Sequence, residues 1–293
     1  MTDTIHPVRF GVQTPQQQTS WQDMLSLWRE VDDLGFDTAW VFDHFLPIFS
    51  DPTGPCLEGW TALAALAMAT QRVRLGVMVT GNTYRHPAVL AKMATTVDII
   101  SGGRLILGMG AGWFELEHTQ YGIPFPQVRE RLARLDEALE VIKRLWTGER
   151  ATFTGRYYQL NAAVCNPRPV QQPHPPILVG AGGERVALGI VARHADMWNS
   201  FGTPDVFRHK IARLTEHCQR VGRDPATIER SVLLSALFPL REARQRVEEY
   251  IAAGVTHLIF SVPAPADRQP LRRFAQEILP VFRGREGSSR AGQ

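Results

Sequence analysis

Short apolar runs alternate with longer amphipathic stretches eight times along the chain, and this rhythm constrains the fold more than any other property of the sequence. Strands are expected over 8–13, 38–42, 73–80, 104–110, 176–180, 195–200, 229–238 and 257–262. Helices are expected after them, over 21–34, 59–70, 88–100, 127–146, 184–194, 204–221, 242–253 and 268–281. The apolar runs are nearly continuous, as strands covered on both faces of a parallel sheet must be. Gly35, Gly102 and Gly254 stand where a helix has to stop, the place of a left-handed cap residue. Pro87 and Pro204 stand at helix starts, where a missing N–H costs nothing. Strand–helix alternation requires parallel strands and right-handed crossovers. Eight such units in 293 residues point to a closed (β/α)8 TIM barrel, with an open doubly wound sheet as the structural alternative.

The rhythm is interrupted once, over 148–175, between the fourth helix and the fifth strand. That segment alternates like a small hairpin around Gly155 and ends in a proline-rich run, so it reads as an insertion into one barrel domain spanning 1–283. The tail, 284–293, is rich in Gly, Ser and Arg and is expected to fray. Charge excludes some partners. The net charge is +3 and no Lys/Arg block occurs, so a nucleic-acid partner is not expected. The longest apolar stretch, 60–69, is far short of the roughly 20 residues that a membrane span needs. Cys56, Cys165 and Cys218 lie too far apart for a zinc knuckle, and no signal core opens the chain, so a reducing cytoplasm is the expected location.

In a barrel of this kind the chemistry sits at the C-terminal ends of the strands. The residues found there are Gln13-Thr14-Pro15, Asp43-His44-Phe45, 81–86, 111–115, 181–185 and Phe201-Gly202. Asp43-His44 is the best acid–base candidate, because an imidazole at a strand mouth holds or moves a proton near neutral pH. The bland reading is a core histidine satisfied by a backbone carbonyl. The run Gly180-Ala181-Gly182-Gly183-Glu184-Arg185 leads from a strand into a helix, which suits either a phosphate with Arg185 as counter-ion or a plain packing turn. The run 108–112 is similar but weaker. Neither is a dinucleotide fingerprint, since the third glycine falls on Arg185 in one and Trp113 in the other. Trp60, Trp113 and Trp198 lie near strand mouths and suit a pocket for a flat ligand, whereas Trp21, Trp28, Trp40 and Trp146 read as packing. His209 and His217 read as a solvated helix face, and Cys56 as a free thiol. No cluster has metal-ligand spacing.

Several runs together resemble the luciferase-like monooxygenase superfamily, in the same order along the chain: 10–13 (FGVQ), 40–45 (WVFDHF), 74–80 (RLGVMVT), 84–92 (YRHPAVLAK), 101–113 (SGGRLILGMGAGW) and 177–185 (ILVGAGGER). The resemblance implies a barrel that binds a flavin or the deazaflavin coenzyme F420 at the strand mouths. The triplet Asp43-His44-Phe45 most resembles the F420-dependent oxidoreductase branch, in which this histidine lies by the reactive carbon and handles a proton. Carried over by resemblance, the cofactor residues are Asp43, His44, Val77, Met78, Thr80, Asn82, Gly110, Ala111, Gly112, Trp113, Gly180, Ala181, Gly182, Gly183 and Arg185. Val77 and Met78 would form a bulge, often with a non-proline cis peptide, against the ring, and Thr80 would reach its polar edge. The 180–183 loop would take the phosphate. The substrate pocket would include Gln13, Trp60, Trp113 and Trp198.

The sugar-phosphate-oxidising members of that family carry acids where this chain has Gln13 and Trp113, so the resemblance implies a bulkier, less polar small-molecule substrate. It leaves His44 as the proton-handling side chain, with Glu115 a distant second, and it implies a homodimer. The alternative is a monooxygenase using reduced FMN and oxygen. A barrel that binds cofactor without turnover and an unrelated phosphate-binding lyase or isomerase are the remaining rivals.

Overall fold

Eight parallel strands close on themselves in the computed structural model, which describes residues 6–14, 16–234, 237–263 and 265–283. The first half contains β1 (Arg9–Gln13), α1 (Trp21–Asp33), β2 (Thr38–Val41), α2 (Gly59–Ala69), β3 (Arg74–Val77), β4 (Thr80–Gly81), α3 (Pro87–Ile100), β5 (Leu105–Gly110), α4 (Glu115–Gln120) and α5 (Val128–Thr147). The second half contains β6 (Ala151–Thr154), β7 (Gln159–Ala163), β8 (Ile177–Gly180), α6 (Ala187–His194), β9 (Met197–Ser200), α7 (Pro204–Arg220), β10 (Glu229–Leu234), α8 (Leu240–Ala252), β11 (His257–Ser261), α9 (Gln269–Glu277) and α10 (Leu279–Arg283). Hydrogen bonding runs β1–β2–β3–β5–β8–β9–β10–β11 and returns to β1, so the ring is complete and no open sheet remains. The expected tail 284–293 lies outside the described residues.

Side-chain alternation along the strands separates two cores. Ala39, Val41, Leu105, Leu107, Ile177, Val179, Trp198, Leu258 and Phe260 belong to the outer core, packed under the helices. Their neighbours Trp40, Ile106, Leu178, Met197 and Ile259, joined by Met78, fill the barrel interior. Gly76 makes room there, because a Cβ on it would come within 2.7 Å of the Trp40 ring and 2.4 Å of the Ile106 carbonyl oxygen. A polar layer closes the N-terminal end. Buried Glu229 lies 2.8 Å from His257 Nδ1 and pairs with Arg9 at 2.5 Å. The Trp40 indole donates to Thr38 Oγ1, which lies 2.9 Å from His257 Nε2.

Carboxylates pin the connections. Asp32, at the end of α1, accepts from the N–H groups of Gln71, Arg72 and Val73 and so fixes the entry to β3. Asp98 on α3 accepts from the Val170 and Gln171 N–H groups and holds the proline-rich run. Glu137 on α5 accepts from the N–H groups of Arg156, Tyr157 and Tyr158 and so holds the turn between β6 and β7, which pair antiparallel apart from the barrel.

The main differences from expectation are these, besides a strand β10 that ends at Leu234 where one was expected to run to 238. The strand expected over 73–80 breaks into β3 and β4 around a cis Met78–Val79 peptide, one bond later than expected. The helix expected over 184–194 begins only at Ala187, since no side chain caps it earlier. The helix expected over 268–281 divides into α9 and α10. The short helix α4, not expected at all, follows β5.

Candidate active site

His44 leaves the end of β2 with its ring against a carboxylate. Its Nδ1 lies 2.7 Å from Glu117 Oε1, and Glu117 is fully buried on α4. Glu117 also accepts from the Tyr84 hydroxyl and, at 2.8 Å, from the Phe45 N–H. Burial alone would push the Glu117 carboxyl up, but His44, Tyr84 and the Phe45 N–H hold it below the usual carboxylate range. His44 Nε2 has no partner among the described residues and is not sealed from solvent. The imidazole thus presents one ring nitrogen outward, its tautomer governed by the carboxylate behind it. It is no core histidine resting on a carbonyl.

The partner expected as second candidate was Glu115. That side chain is exposed, and Glu117 takes the place by His44. The signal for it was weak. Once α4 is recognised, Glu117 and His118 fall on its inner face, but the six-residue helix has too little periodicity to be seen in sequence.

Asp43 sits beside His44 and is committed to a different neighbour. Arg85 clasps it with two hydrogen bonds and reaches Glu58 at 2.8 Å with the same guanidinium. This cluster ties the β2 mouth to the loop before α3 and to the cap of α2. Asp43 therefore acts on the site through Arg85 and the backbone, and its carboxylate does not reach the open mouth.

Several residues of the expected site are packed into the protein. Val77 belongs to the outer core, and Met78 is the inward residue of the pair. Thr80 is fully buried with its hydroxyl accepting from the Trp60 indole at 2.9 Å. Trp198 is likewise in the outer core, 5.5 Å from the Phe207 ring, and its indole donates to the Ala181 carbonyl. Strand alternation decided this: the inward neighbour of Trp198 is Met197. Asn82 is buried and donates to the Tyr158 hydroxyl.

Others do converge. Gln13 turns inward and donates to the Met78 carbonyl at 3.0 Å. Gly112, at φ 78°, carries the chain from β5 to Trp113, whose ring meets His44 edge-on at 5.4 Å. Gly182 and Gly183 are exposed after β8, and no partner occurs for their N–H groups among the described residues. A Cβ on Gly182 would come within 3.8 Å of Lys210 Nζ, which donates to buried Ser200 Oγ at 3.0 Å. Burial holds Lys210 below the usual lysine range, with Glu184 pulling it back up. Lys210 is therefore the cation set against the glycine loop, whereas Arg185 is exposed beside it. A loop of free N–H groups next to a half-buried ammonium fits a phosphate. Lys210 was absent from the sequence reading, yet it lies three residues after buried Phe207 on the inward stripe of α7.

His118 and His217 pack within the fold. His118 stacks on Tyr84 and bonds Thr83, and His217, expected on a solvated face, is buried on the Glu184 carbonyl. Cys56 is half-buried by the His44 carbonyl, and burial, with Glu117 nearby, pushes its thiol up to about 12. Among the described residues no His, Cys, Asp or Glu cluster could hold a metal, and no helix is long and apolar enough to cross a membrane.

Known proteins share this arrangement of the chain. An F420-dependent glucose-6-phosphate dehydrogenase of Kineococcus radiotolerans is 30% identical, with 97% of this chain and 100% of that protein aligned. An F420-dependent hydroxymycolic acid dehydrogenase of Mycobacterium tuberculosis is 31% identical over 78% of this chain and 62% of its own. Among solved structures, an F420-dependent secondary alcohol dehydrogenase in complex with an F420–acetone adduct superposes with a TM-score of 0.85 at 20% identity, covering 94% of this chain and 99% of that one. The sequence profile of the luciferase-like monooxygenase family matches residues 2–291. From strand order to mouth loops, the chain belongs to the luciferase-like monooxygenase family.

Proposed function

We propose that the protein is a coenzyme F420-dependent oxidoreductase acting on a small organic substrate at the C-terminal mouth of the barrel. The observation that carries this reading is the His44–Glu117 pair, with one imidazole nitrogen buried on a carboxylate and the other open to the mouth. The names of the relatives described above support the choice of cofactor. Bound there, the deazaflavin supplies two-electron hydride chemistry.

The chain's own part is positional and acid–base. Gly182, Gly183 and Lys210 hold a phosphate. Met78, kept inward by the bond from Gln13 to its carbonyl, gives the ring an apolar bed. His44 Nε2 exchanges a proton with the substrate oxygen or nitrogen, and Glu117 stabilises the imidazolium that forms when His44 is the acceptor. Buried Phe42, edge-on to the His44 ring at 5.4 Å, shields one side of the imidazole from water.

Equilibrium titration of ligand-free protein with oxidised F420 and with FMN, side by side, tests the proposal. Micromolar or tighter binding of F420 with weaker binding of FMN is expected. Preferential FMN binding with oxygen consumption would move the protein to the oxygen-activating branch. His44→Ala is expected to abolish turnover and to leave F420 affinity within several-fold. A collapse of affinity would make His44 a binding residue. The assembly proposed is a homodimer: α2 and α3 expose Met68 and Val89, and light scattering of Met68→Lys against the unaltered protein tests whether that side pairs two copies.

A further inference from the structure

Two aromatic side chains at the mouth stand in water. Phe49 is 92% exposed and Trp113 is 52% exposed. They are stacked, with centroids 5.7 Å apart and planes 17° from parallel. Trp113 in turn meets the His44 ring edge-on, and Phe114 lies 5.2 Å behind it. The pair is therefore continuous with the imidazole assigned to proton handling. Phe49 also holds a left-handed φ of 58°, which bulky residues avoid and which clusters at functional sites. Five of the other tryptophans, Trp28, Trp40, Trp60, Trp146 and Trp198, are in the core, so the exposure of Trp113 is not the habit of this chain.

The charges beneath the pair are already used. Arg85 takes Asp43 and Glu58, and His44, Tyr84 and the Phe45 N–H take Glu117. The half-buried cation Lys210, on α7, bonds Ser200 at the end of β9, four places round the ring from β2, where it faces the glycine loop. Among the described residues, the side of the mouth next to His44 thus offers aromatic faces, and neither a free guanidinium for a phosphate nor an unpaired buried carboxylate for sugar hydroxyls.

We propose that Phe49 and Trp113 form a ledge that takes a flat, apolar group of the substrate and sets the reacting carbon beside His44. The substrate class is an uncharged molecule in which an aromatic or conjugated apolar portion adjoins the carbonyl, alcohol or imine. This rests on the oxidoreductase reading and adds the substrate class to it. Two of the relatives carry the name of a sugar phosphate or a lipid acid in their activity, and the ledge separates this chain from the first of these classes.

The probes are a matched pair of enones, 4-phenylbut-3-en-2-one and pent-3-en-2-one, with glucose 6-phosphate as the polar contrast. Binding is measured by calorimetry on the protein, on Trp113→Ala, on Trp113→Phe and on Phe49→Ala, and F420 binding is measured on the same samples. The phenyl enone is expected to bind about tenfold tighter than its methyl counterpart, the scale of one good aromatic contact plus its buried area. Trp113→Ala should reduce that ratio to about threefold or less, Phe49→Ala should reduce it severalfold, and Trp113→Phe should keep most of it. Equal affinities, a ratio that survives Trp113→Ala, or tighter binding of glucose 6-phosphate than of the phenyl enone would overturn the ledge. Uptake of F420 without a preference for the phenyl enone overturns the ledge and leaves the oxidoreductase reading standing. The preference without uptake of F420 overturns that reading and leaves the ledge standing.

Discussion

Glu117 Oε1 and His44 Nδ1 are 2.7 Å apart although 73 residues separate them in the chain. The carboxylate has no exposed surface, so its hydrogen bonds are made within the protein, to the His44 ring, the Tyr84 hydroxyl and the Phe45 N–H. Such a pair gives a histidine a fixed orientation and a fixed tautomer.

Replacing Glu117 by Gln keeps the volume and removes the charge. It is expected to lower kcat by about 10- to 100-fold, the range of a general acid–base contribution partly retained, and to leave F420 affinity within several-fold. Glu117→Ala should also cost about 1–3 kcal/mol of stability, because the Phe45 N–H and Tyr84 hydroxyl lose their acceptor. Steady-state kinetics alongside denaturant unfolding separates the two effects. A Glu117→Gln protein with unchanged kcat would reduce the pair to a structural contact.

Lys210→Met removes the ammonium by the glycine loop. Its F420 affinity should fall by about an order of magnitude, as expected for losing one charge-assisted hydrogen bond. A deazaflavin lacking the side-chain phosphate should bind both proteins alike. Fluorescence titration with the two compounds gives the answer, and an equal loss for both would place Lys210 away from the phosphate.

Glu229 governs part of the acid stability. Burial alone would push its carboxyl up, but His257 and Arg9 hold it below the ordinary glutamate value. A carboxylate lowered on folding stabilises the protein above its unfolded pKa, near about 4.3, and that stability is lost as pH falls through the folded value. Glu229→Gln should therefore be less stable at pH 7, and its stability should fall less steeply below about pH 4.5. Urea unfolding across pH 3 to 7 measures both slopes. Parallel curves would show that Glu229 titrates alike in both states.

The cysteines should be silent in the folded protein. Cys165 and Cys218 are buried, and Cys56, pushed up to about 12, holds almost no thiolate at pH 8. Titration with a disulfide reagent should find no fast thiol at pH 8 and three after denaturation. A fast thiol lost on Cys56→Ser would contradict the burial of that side chain.

The barrel was legible because it rests on period and punctuation. Gly35, Gly102 and Gly254 adopt the left-handed φ values expected of helix caps, and Pro87 and Pro204 begin their helices. The place of His44 at a strand mouth was legible because it closely follows the end of β2. What sequence concealed were pairings between distant segments. Glu117 finds His44 through a short helix with no periodic signal, and Arg85 draws Asp43 away from the mouth. Trp60, Val77 and Trp198 pack in the outer core and the Thr80 hydroxyl takes the Trp60 indole, which sequence did not reveal, because nearness to a strand end does not say which face a side chain takes. Alternation against a known inward neighbour such as Met197 would have settled Trp198.

The side chains of Trp40, Ile106, Leu178, Met197 and Ile259 make the barrel a blind vessel. Nothing passes through it, so everything that arrives must leave by the same door. A molecule lying over the opening detains whatever sits deeper, and traffic is last in, first out. Inhibition patterns should carry that mark, with the outer guest competing against its own kind and trapping the inner one.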